Sequence, residues 1–185
     1  MREPSLFLLD EPLSNLDART RFTARGELKR IQRELGQTFV YVTHDQKEAA
    51  SLGDRVGVLH QGGFEQIAPF QELYDNPKTE WVGDFVGDFP MSFLPPEALH
   101  LKGGPGQVGF RPEWARLTKD ANSIQGAVQS VERAGDVYYI FCKLPSGFAV
   151  TLKSNEEQEI GSEISFIVDR YNSYETPKSK DSPLV

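Results

Sequence analysis

Residues 6–17 read LFLLDEPLSNLD, an apolar run that ends in an acidic pair and a proline. The successive apolar residues predict a buried β-strand, and Pro12 ends it because proline has no N–H to donate to a sheet. The carboxylates of Asp10 and Glu11 then lie at the carboxyl end of the strand, where α/β proteins bind phosphates. Asp10 suits a Mg²⁺ ligand, directly or through water, and Glu11 suits a residue that orients or deprotonates an attacking water. A core strand followed by a solvated acidic turn is the alternative.

A second β-branched run, TFVYV at residues 38–42, is followed by Thr43-His44-Asp45. A histidine at the end of a neighbouring strand could reach the same phosphate through one ring nitrogen. Considered alone, a histidine such as His44 is more often an ordinary residue at the end of a strand than a phosphate contact.

Together, these motifs resemble the C-terminal half of the ATP-hydrolysing subunit of ATP-binding-cassette (ABC) transporters. The first run is similar to the Walker B strand with its catalytic glutamate, residues 14–17 to the D-loop, and His44 to the switch histidine. The resemblance implies that Asp10 holds Mg²⁺, that Glu11 activates water and that His44 contacts the γ-phosphate of ATP. It also places Ser14 and Asp17 in the nucleotide-binding set, with Asp17 communicating across a dimer.

The resemblance continues beyond the switch histidine. Several short segments between residues 48 and 87 are similar to importer ATPases: EA at 48–49, GDRV at 53–56, EQI at 65–67, ELYDNP at 72–77 and FVG at 85–87. GFRPE at 109–113 and the glycine- and valine-rich residues 126–135 resemble the C-terminal regulatory domain of importers for sugars, oxyanions, iron or polyamines. That domain is a transport-associated oligonucleotide/oligosaccharide-binding (TOBE) domain, a small OB-like β-barrel.

Two motifs of the family do not occur in these 185 residues. There is no G-x-x-x-x-G-K-[ST] sequence (Walker A), which would supply a backbone cradle and a lysine for the phosphates. The Leu-Ser-Gly-Gly-Gln-type signature is also missing. We therefore expect the chain to be the back half of a longer ATPase, and to be inactive by itself because it has the water-activating half of the chemistry without the phosphate-holding half.

Composition restricts the partners. The net charge of −7 argues against nucleic acid as a general partner. No apolar run approaches the ~18 residues that would span a bilayer, and no signal peptide is evident. The single Cys142 fits a reducing compartment and is expected to be a buried structural residue. These features and the resemblance imply a cytoplasmic protein, peripheral on the inner face of the membrane through a permease.

The predicted fold class is α/β plus all-β, a partial parallel-sheet P-loop NTPase (ABC) core joined to a small OB-like β-barrel. The expected domains are residues 1–87, residues 88–171 and a disordered tail at 172–185. In the first domain, Asp17 is expected to cap a helix that ends near Leu35 with Gly36 as the stop. The basic residues along that helix are interpreted as a solvated face, since Glu27 and Glu34 lie among them. In the second domain, short alternating runs separated by turn residues predict strands.

One further motif is a chance match. Residues 104–109 read GPGQVG and fit the letters of the dinucleotide fingerprint G-x-G-x-x-G. That fingerprint must follow a strand and open a helix, whereas this one lies in a glycine- and proline-rich loop and runs into Phe110-Arg111-Pro112. We expect a flexible turn before a strand.

The function that follows from the resemblance is that of an ATP-binding and ATP-hydrolysing subunit of an importer. Such a subunit forms a homodimer, docks on membrane permease subunits and couples hydrolysis to import of a small solute, with ATP and Mg²⁺ as cofactors. The alternative is a non-catalytic module that regulates, senses solute or dimerises, because OB-type barrels bind ligands without ATP.

Overall fold

The computed structural model describes residues 5–101 and 106–175. The chain divides into two compact units, Met1–Lys78 and Thr79–Val185. This division lies before a helix at Glu80–Phe85, whereas the sequence placed it after residue 87. The reason is Arg111, whose fully buried guanidinium donates to the main-chain oxygens of Gly83 and Val86 and so ties this helix to the second unit.

The first unit alternates strands and helices. Its elements are β1 (Leu6–Asp10), α1 (Ala18–Leu35), β2 (Thr38–Val42), α2 (Gln46–Leu52), β3 (Val56–His60), β4 (Gly63–Ala68) and α3 (Phe70–Asp75). Strands β1 and β2 pair in parallel, with Leu6 opposite Thr38 and Asp10 opposite Val42. Strands β3 and β4 form a separate antiparallel hairpin. The β1–α1–β2 crossover therefore brings the carboxyl ends of β1 and β2 to one edge.

Local sequence signals set the ends of α1 as predicted. The Asp17 side chain accepts from the main-chain N–H groups of Arg19 and Thr20 and begins the helix. At the other end Gly36 has φ +59°, a left-handed conformation that glycine adopts at little cost, and its N–H donates to the Gln32 carbonyl. Both ends of the helix are thus capped by the residues that the sequence indicated.

The first unit leaves much apolar surface exposed. In the two-stranded sheet, Leu8 is 70% and Val40 is 43% exposed, and along α1 Phe22 is 72% exposed. Helix α1 buries none of its residues, and Ile31 and Leu35 on it are 38% and 51% exposed. Within residues 5–101 and 106–175, parallel pairing is limited to β1 and β2. The sequence predicted a partial parallel-sheet core, and beyond this one pair of strands such a core is not clearly seen among these residues.

The second unit is mostly β. After α4 (Glu80–Phe85), its strands are β5 (Ser92–Leu94), β6 (Gln107–Phe110), β7 (Ala115–Leu117), β8 (Ile124–Ala134), β9 (Val137–Lys143), β10 (Ala149–Ser154), β11 (Glu163–Val168) and β12 (Asn172–Tyr174). They form a five-stranded sheet in the order β10-β9-β8-β11-β7 and a three-stranded sheet in the order β12-β6-β5. The pairs are antiparallel throughout. This agrees with the short alternating strands expected from the sequence.

A continuous hydrophobic core fills the second unit. Phe110, Ile140 and Phe166 are fully buried within it. Cys142 is 1% exposed in the same cluster, and burial raises the pKa of its thiol to about 11. A thiol that stays protonated and inaccessible is unreactive, which agrees with the structural interpretation of Cys142.

One expectation about the loops and tail is wrong, and a second agrees with the structure. Residues 172–174, expected to begin a disordered tail, form β12, which pairs with β6 and buries Tyr174 to 7% exposure. The pairing is with a strand more than sixty residues earlier, so the local sequence gave no sign of it. Residues 176–185 lie outside the described residues, as do residues 104–105 of the GPGQVG motif. The rest of that motif leads into β6 rather than a helix, which excludes a dinucleotide fingerprint.

Candidate functional site

The candidate site lies where β1 and β2 end. The Glu11 N–H donates to the Val42 carbonyl at 2.9 Å, which extends the parallel ladder one residue past β1. Two residues beyond Val42, the chain reaches His44. The register of two parallel strands thus brings Glu11 and His44 together although they are 33 residues apart.

Glu11 and His44 form a direct contact. Glu11 Oε1 lies 2.8 Å from His44 Nδ1, and the side chains are 43% and 74% exposed respectively. Glu11 has φ +42°, in the left-handed region that non-glycine residues rarely adopt. The hydrogen bond to Glu11, with the negative charge of that carboxylate, raises the pKa of His44. The charges of Asp45 and Glu48 act in the same direction.

This contact gives a testable pKa. We expect His44 to titrate above its ordinary value of 6.5, and Glu11→Gln to lower its pKa, because an amide does not attract the imidazolium as a carboxylate does. A raised pKa means that the His44 ring binds its proton more tightly in the folded state than in the unfolded state. The pair therefore stabilises the fold below the unfolded pKa, and this contribution disappears as pH rises through the folded pKa. An NMR titration of the His44 ring protons measures the His44 pKa in the native protein and in Glu11→Gln.

A variant of an exposed glutamate on α1, Glu34→Gln, is the matched control for that titration. Glu34 contacts Arg30 and lies on the helix surface, so its substitution should leave the pKa of His44 where it is. The same His44 pKa in the native protein and Glu11→Gln would contradict the contact.

The turn after Glu11 is held by its own hydrogen bonds. The Ser14 hydroxyl and N–H both donate to the Glu11 carbonyl, at 2.9 and 3.2 Å. Leu13 is 6% exposed and anchors the turn. Ser14 therefore contacts the main chain of Glu11, and its place in the nucleotide-binding set stays a prediction.

Asp17 makes local contacts. One carboxylate oxygen accepts from the N–H groups of Arg19 and Thr20 at 3.0 Å, and the other accepts from the Thr20 hydroxyl at 2.6 Å. The hydroxyl and N–H of Thr20 lower the pKa of Asp17. Both oxygens of Asp17 are therefore used in capping α1 in this structure.

Asp10 lies at the last position of β1, is exposed, and follows Leu6 and Leu8 on the same face of the strand. Among the described residues, no group of three or more His, Cys, Asp or Glu side chains is arranged to hold a metal ion. Asp10 thus offers one exposed carboxylate at this edge of the sheet.

The structure adds a cluster that the sequence interpretation missed. Arg21, interpreted as part of a solvated basic face, lies 3.3 Å from Asp45 and 3.7 Å from Glu48. Glu48 is only 2% exposed and also accepts hydrogen bonds from the hydroxyls of Tyr41 and Thr43, each at 2.8 Å. Burial, with the hydrogen bond to Glu48, raises the pKa of Tyr41. We call these five residues the Arg21 cluster.

The signal that could have found this cluster is the charge pattern. Residue 21 is four positions after the cap residue Asp17, so it lies in the helix turn nearest the site. Asp45 caps α2 and Glu48 lies in its first turn. Only the crossover brings the two helix starts together, which is why the pattern along α1 alone indicated a solvated face.

The described residues also include no helix that is both long enough and apolar enough to cross a bilayer.

Comparison with known proteins finds matches over most of the chain. The TOBE domain model matches residues 108–169. A solved structure of the cytoplasmic molybdate-binding protein ModG is similar to this chain, with 18% identity and a TM-score of 0.33. The match covers 40% of this chain and 62% of the ModG chain.

Longer matches are with import ATP-binding proteins. The sn-glycerol-3-phosphate import ATP-binding protein UgpC of Rhizobium meliloti is 43% identical over 80% of this chain and 46% of its own length. The same-named protein of Rhodopseudomonas palustris is 37% identical over 87% of this chain and 48% of its own. The trehalose/maltose import ATP-binding protein MalK of Thermococcus litoralis is 51% identical over 72% of this chain and 35% of its own length. The chain spans about half the length of the first of these relatives. Over the part that it spans, the chain is homologous to the ATP-binding subunits of ABC importers, and its residues 108–169 match the TOBE domain.

Proposed function

We propose that this chain supplies the water-activating part of an ATPase that drives solute import, with a regulatory TOBE domain attached. The observation that carries the proposal is the 2.8 Å contact between Glu11 and His44 at the carboxyl edge of two parallel strands. That edge is where α/β proteins bind phosphates. The names of the relatives, which are import ATP-binding proteins, support the same assignment.

In this proposal Glu11 orients and deprotonates the attacking water. A carboxylate has two oxygens, so Glu11 can hold His44 with Oε1 and accept a proton from water with Oε2. Its exposure of 43% gives water direct access. Main-chain contacts fix its position from both sides, since its N–H donates to Val42 and its carbonyl accepts from Ser14.

His44 is proposed to contact the γ-phosphate through Nε2. With Nδ1 hydrogen-bonded to a carboxylate, Nε2 can donate to a phosphate oxygen only when the ring is protonated. Because Glu11 raises the pKa of His44, the ring is more readily protonated than an isolated imidazole. Glu11 therefore prepares His44 to stabilise charge that develops on the transferred phosphoryl group.

Asp10 is proposed to hold Mg²⁺, and Ser14 and Asp17 to lie next to nucleotide at a dimer interface. Mg²⁺ is commonly bound by one or two carboxylates together with water and phosphate oxygens, so one exposed carboxylate at this edge fits that pattern when ATP is present. The ion would neutralise charge on the phosphates. In the same proposal the whole protein is a cytoplasmic homodimer docked on membrane permease subunits.

The second unit is proposed to have the regulatory role. The TOBE match over residues 108–169 covers most of its β-strands. It has one hydrophobic cluster of its own, which supports a module that acts without ATP. The proposal for the first unit is tested by measuring ATP hydrolysis in a full-length subunit that contains this sequence. The proposal requires that this hydrolysis depends on Glu11.

The 185-residue chain by itself should bind Mg·ATP only weakly, in the millimolar range or above, and should not turn it over. Most phosphate affinity in P-loop ATPases comes from the Gly-rich loop and its lysine, and this sequence has neither. Isothermal titration with Mg·ATP and a phosphate-release assay measure both quantities. A micromolar dissociation constant, or steady phosphate release that Glu11→Gln abolishes, would contradict this expectation.

A further inference from the structure

Arg21 joins three segments that surround the candidate site. Its Nη2 donates to the Leu16 carbonyl at 2.8 Å and to the Ser14 carbonyl at 3.5 Å, so it holds the turn that follows Glu11. Its Nη1 donates to Asp45 Oδ2 at 3.3 Å, at the residue directly after His44. Its Nε lies 3.7 Å from Glu48 Oε1, within α2.

The buried carboxylate of Glu48 explains why the Arg21 guanidinium is held in this position. A carboxylate that is 2% exposed needs opposite charge and hydrogen-bond donors, because burying it unpaired is strongly unfavourable. Tyr41 and Thr43 supply two donors and Arg21 supplies the positive charge. The guanidinium is therefore held in place by a buried group as well as by the turn.

The Arg21 cluster reaches the residues on both sides of His44. The Thr43 hydroxyl donates to Glu48 and accepts from the Asp45 N–H at 3.0 Å. Asp45 in turn caps α2 and accepts from Arg21. The main chain on either side of His44 is thus fixed by one cluster, which also holds the turn that carries Ser14.

We propose that Arg21 is a positioning residue that couples the turn after Glu11 to the segment around His44 and so sets the Glu11–His44 contact. The inference rests on the proposed function for its catalytic meaning, and it adds a residue outside the motifs that the sequence indicated. An arginine is required because its planar fork can donate to two carbonyls and a carboxylate at once. A lysine side chain ends in a single ammonium nitrogen, so it cannot contact the two carbonyls and the carboxylate at the same time.

The test compares Arg21→Gln and Arg21→Lys with Arg30→Gln in the 185-residue chain. Arg30 is the matched control, since it lies on the same helix and also forms two ion pairs, with Glu27 and Glu34, but on the exposed surface. The readout is the ¹⁵N shift of His44 Nδ1 at a pH where the ring is protonated in every variant. Glu11→Ala supplies the reference shift for the broken contact.

We expect the Nδ1 shift in Arg21→Gln and Arg21→Lys to move at least half of the way to the Glu11→Ala value, and Arg30→Gln to match the native protein. Native shifts in both Arg21 variants would overturn the proposal. If Arg21→Gln fails to fold, Arg21→Lys decides, because it keeps the positive charge beside Glu48. Unfolding of both would also overturn it, since Arg21 would then be needed for the fold itself. No nucleotide is present in this experiment, so its outcome is independent of whether the ATPase proposal holds.

Discussion

Glu11→Gln in a full-length subunit that contains this sequence is expected to slow ATP hydrolysis by roughly 10²-fold or more while ATP binding is retained. Glutamine has the shape of glutamate and can still contact His44, but its amide cannot accept a proton from water. Since Glu11 lies at the edge of the sheet and donates only its N–H to β2, the substitution should leave the fold intact. Steady-state turnover together with an ATP-binding isotherm separates the two effects.

The matched control is Glu34→Gln, which removes a carboxylate from the exposed surface of α1. It should have native turnover and native binding. If Glu11→Gln keeps native turnover as well, the base is another group and Glu11 has a structural role, stabilising His44 and the turn. If instead ATP binding is lost along with turnover, the variant has damaged the site rather than removed a base.

The second large effect concerns the stability of the two units. In a dilute solution of the 185-residue chain, we expect amide hydrogens of Val40 to Val42 to exchange on the order of 10³-fold faster than those of Val137 to Phe141, a difference of about 4 kcal/mol in opening free energy. Among the residues that the structure describes, strand β2 has one paired neighbour, and its exposed face includes Val40 and Val42, which are 43% and 47% exposed. A two-stranded sheet is marginally stable by itself.

Strand β9 provides the comparison within the same molecule. It lies between β10 and β8, and Ile140 in it is fully buried. Exchange measured at several protein concentrations distinguishes intrinsic stability from association, because a second copy that covers the β1–β2 sheet would increase protection as concentration rises. Equal, strong protection of β2 and β9 in the dilute monomer would show that the first unit is stable without further partners.

The sequence by itself determined the features that depend on neighbouring residues. Asp17 and Gly36 set the ends of α1, because caps act on main-chain groups within one turn. The two apolar runs predicted that Glu11 and His44 each follow the carboxyl end of a strand, because strand ends are marked by local changes from apolar to polar residues. The short runs of alternating apolar and polar residues likewise predicted the strands of the second unit, because this alternation involves only neighbouring residues.

Only the tertiary structure decided which distant groups meet. The role of Arg21 depends on Asp45 and Glu48, 24 and more residues away, and side-chain type alone indicated a solvated helix face. The boundary before α4 depends on the buried Arg111, which donates to carbonyls 25 and 28 residues earlier in the chain. Burial and charge pairing act through space and are set when the chain folds, so periodicity along the sequence could not reveal them.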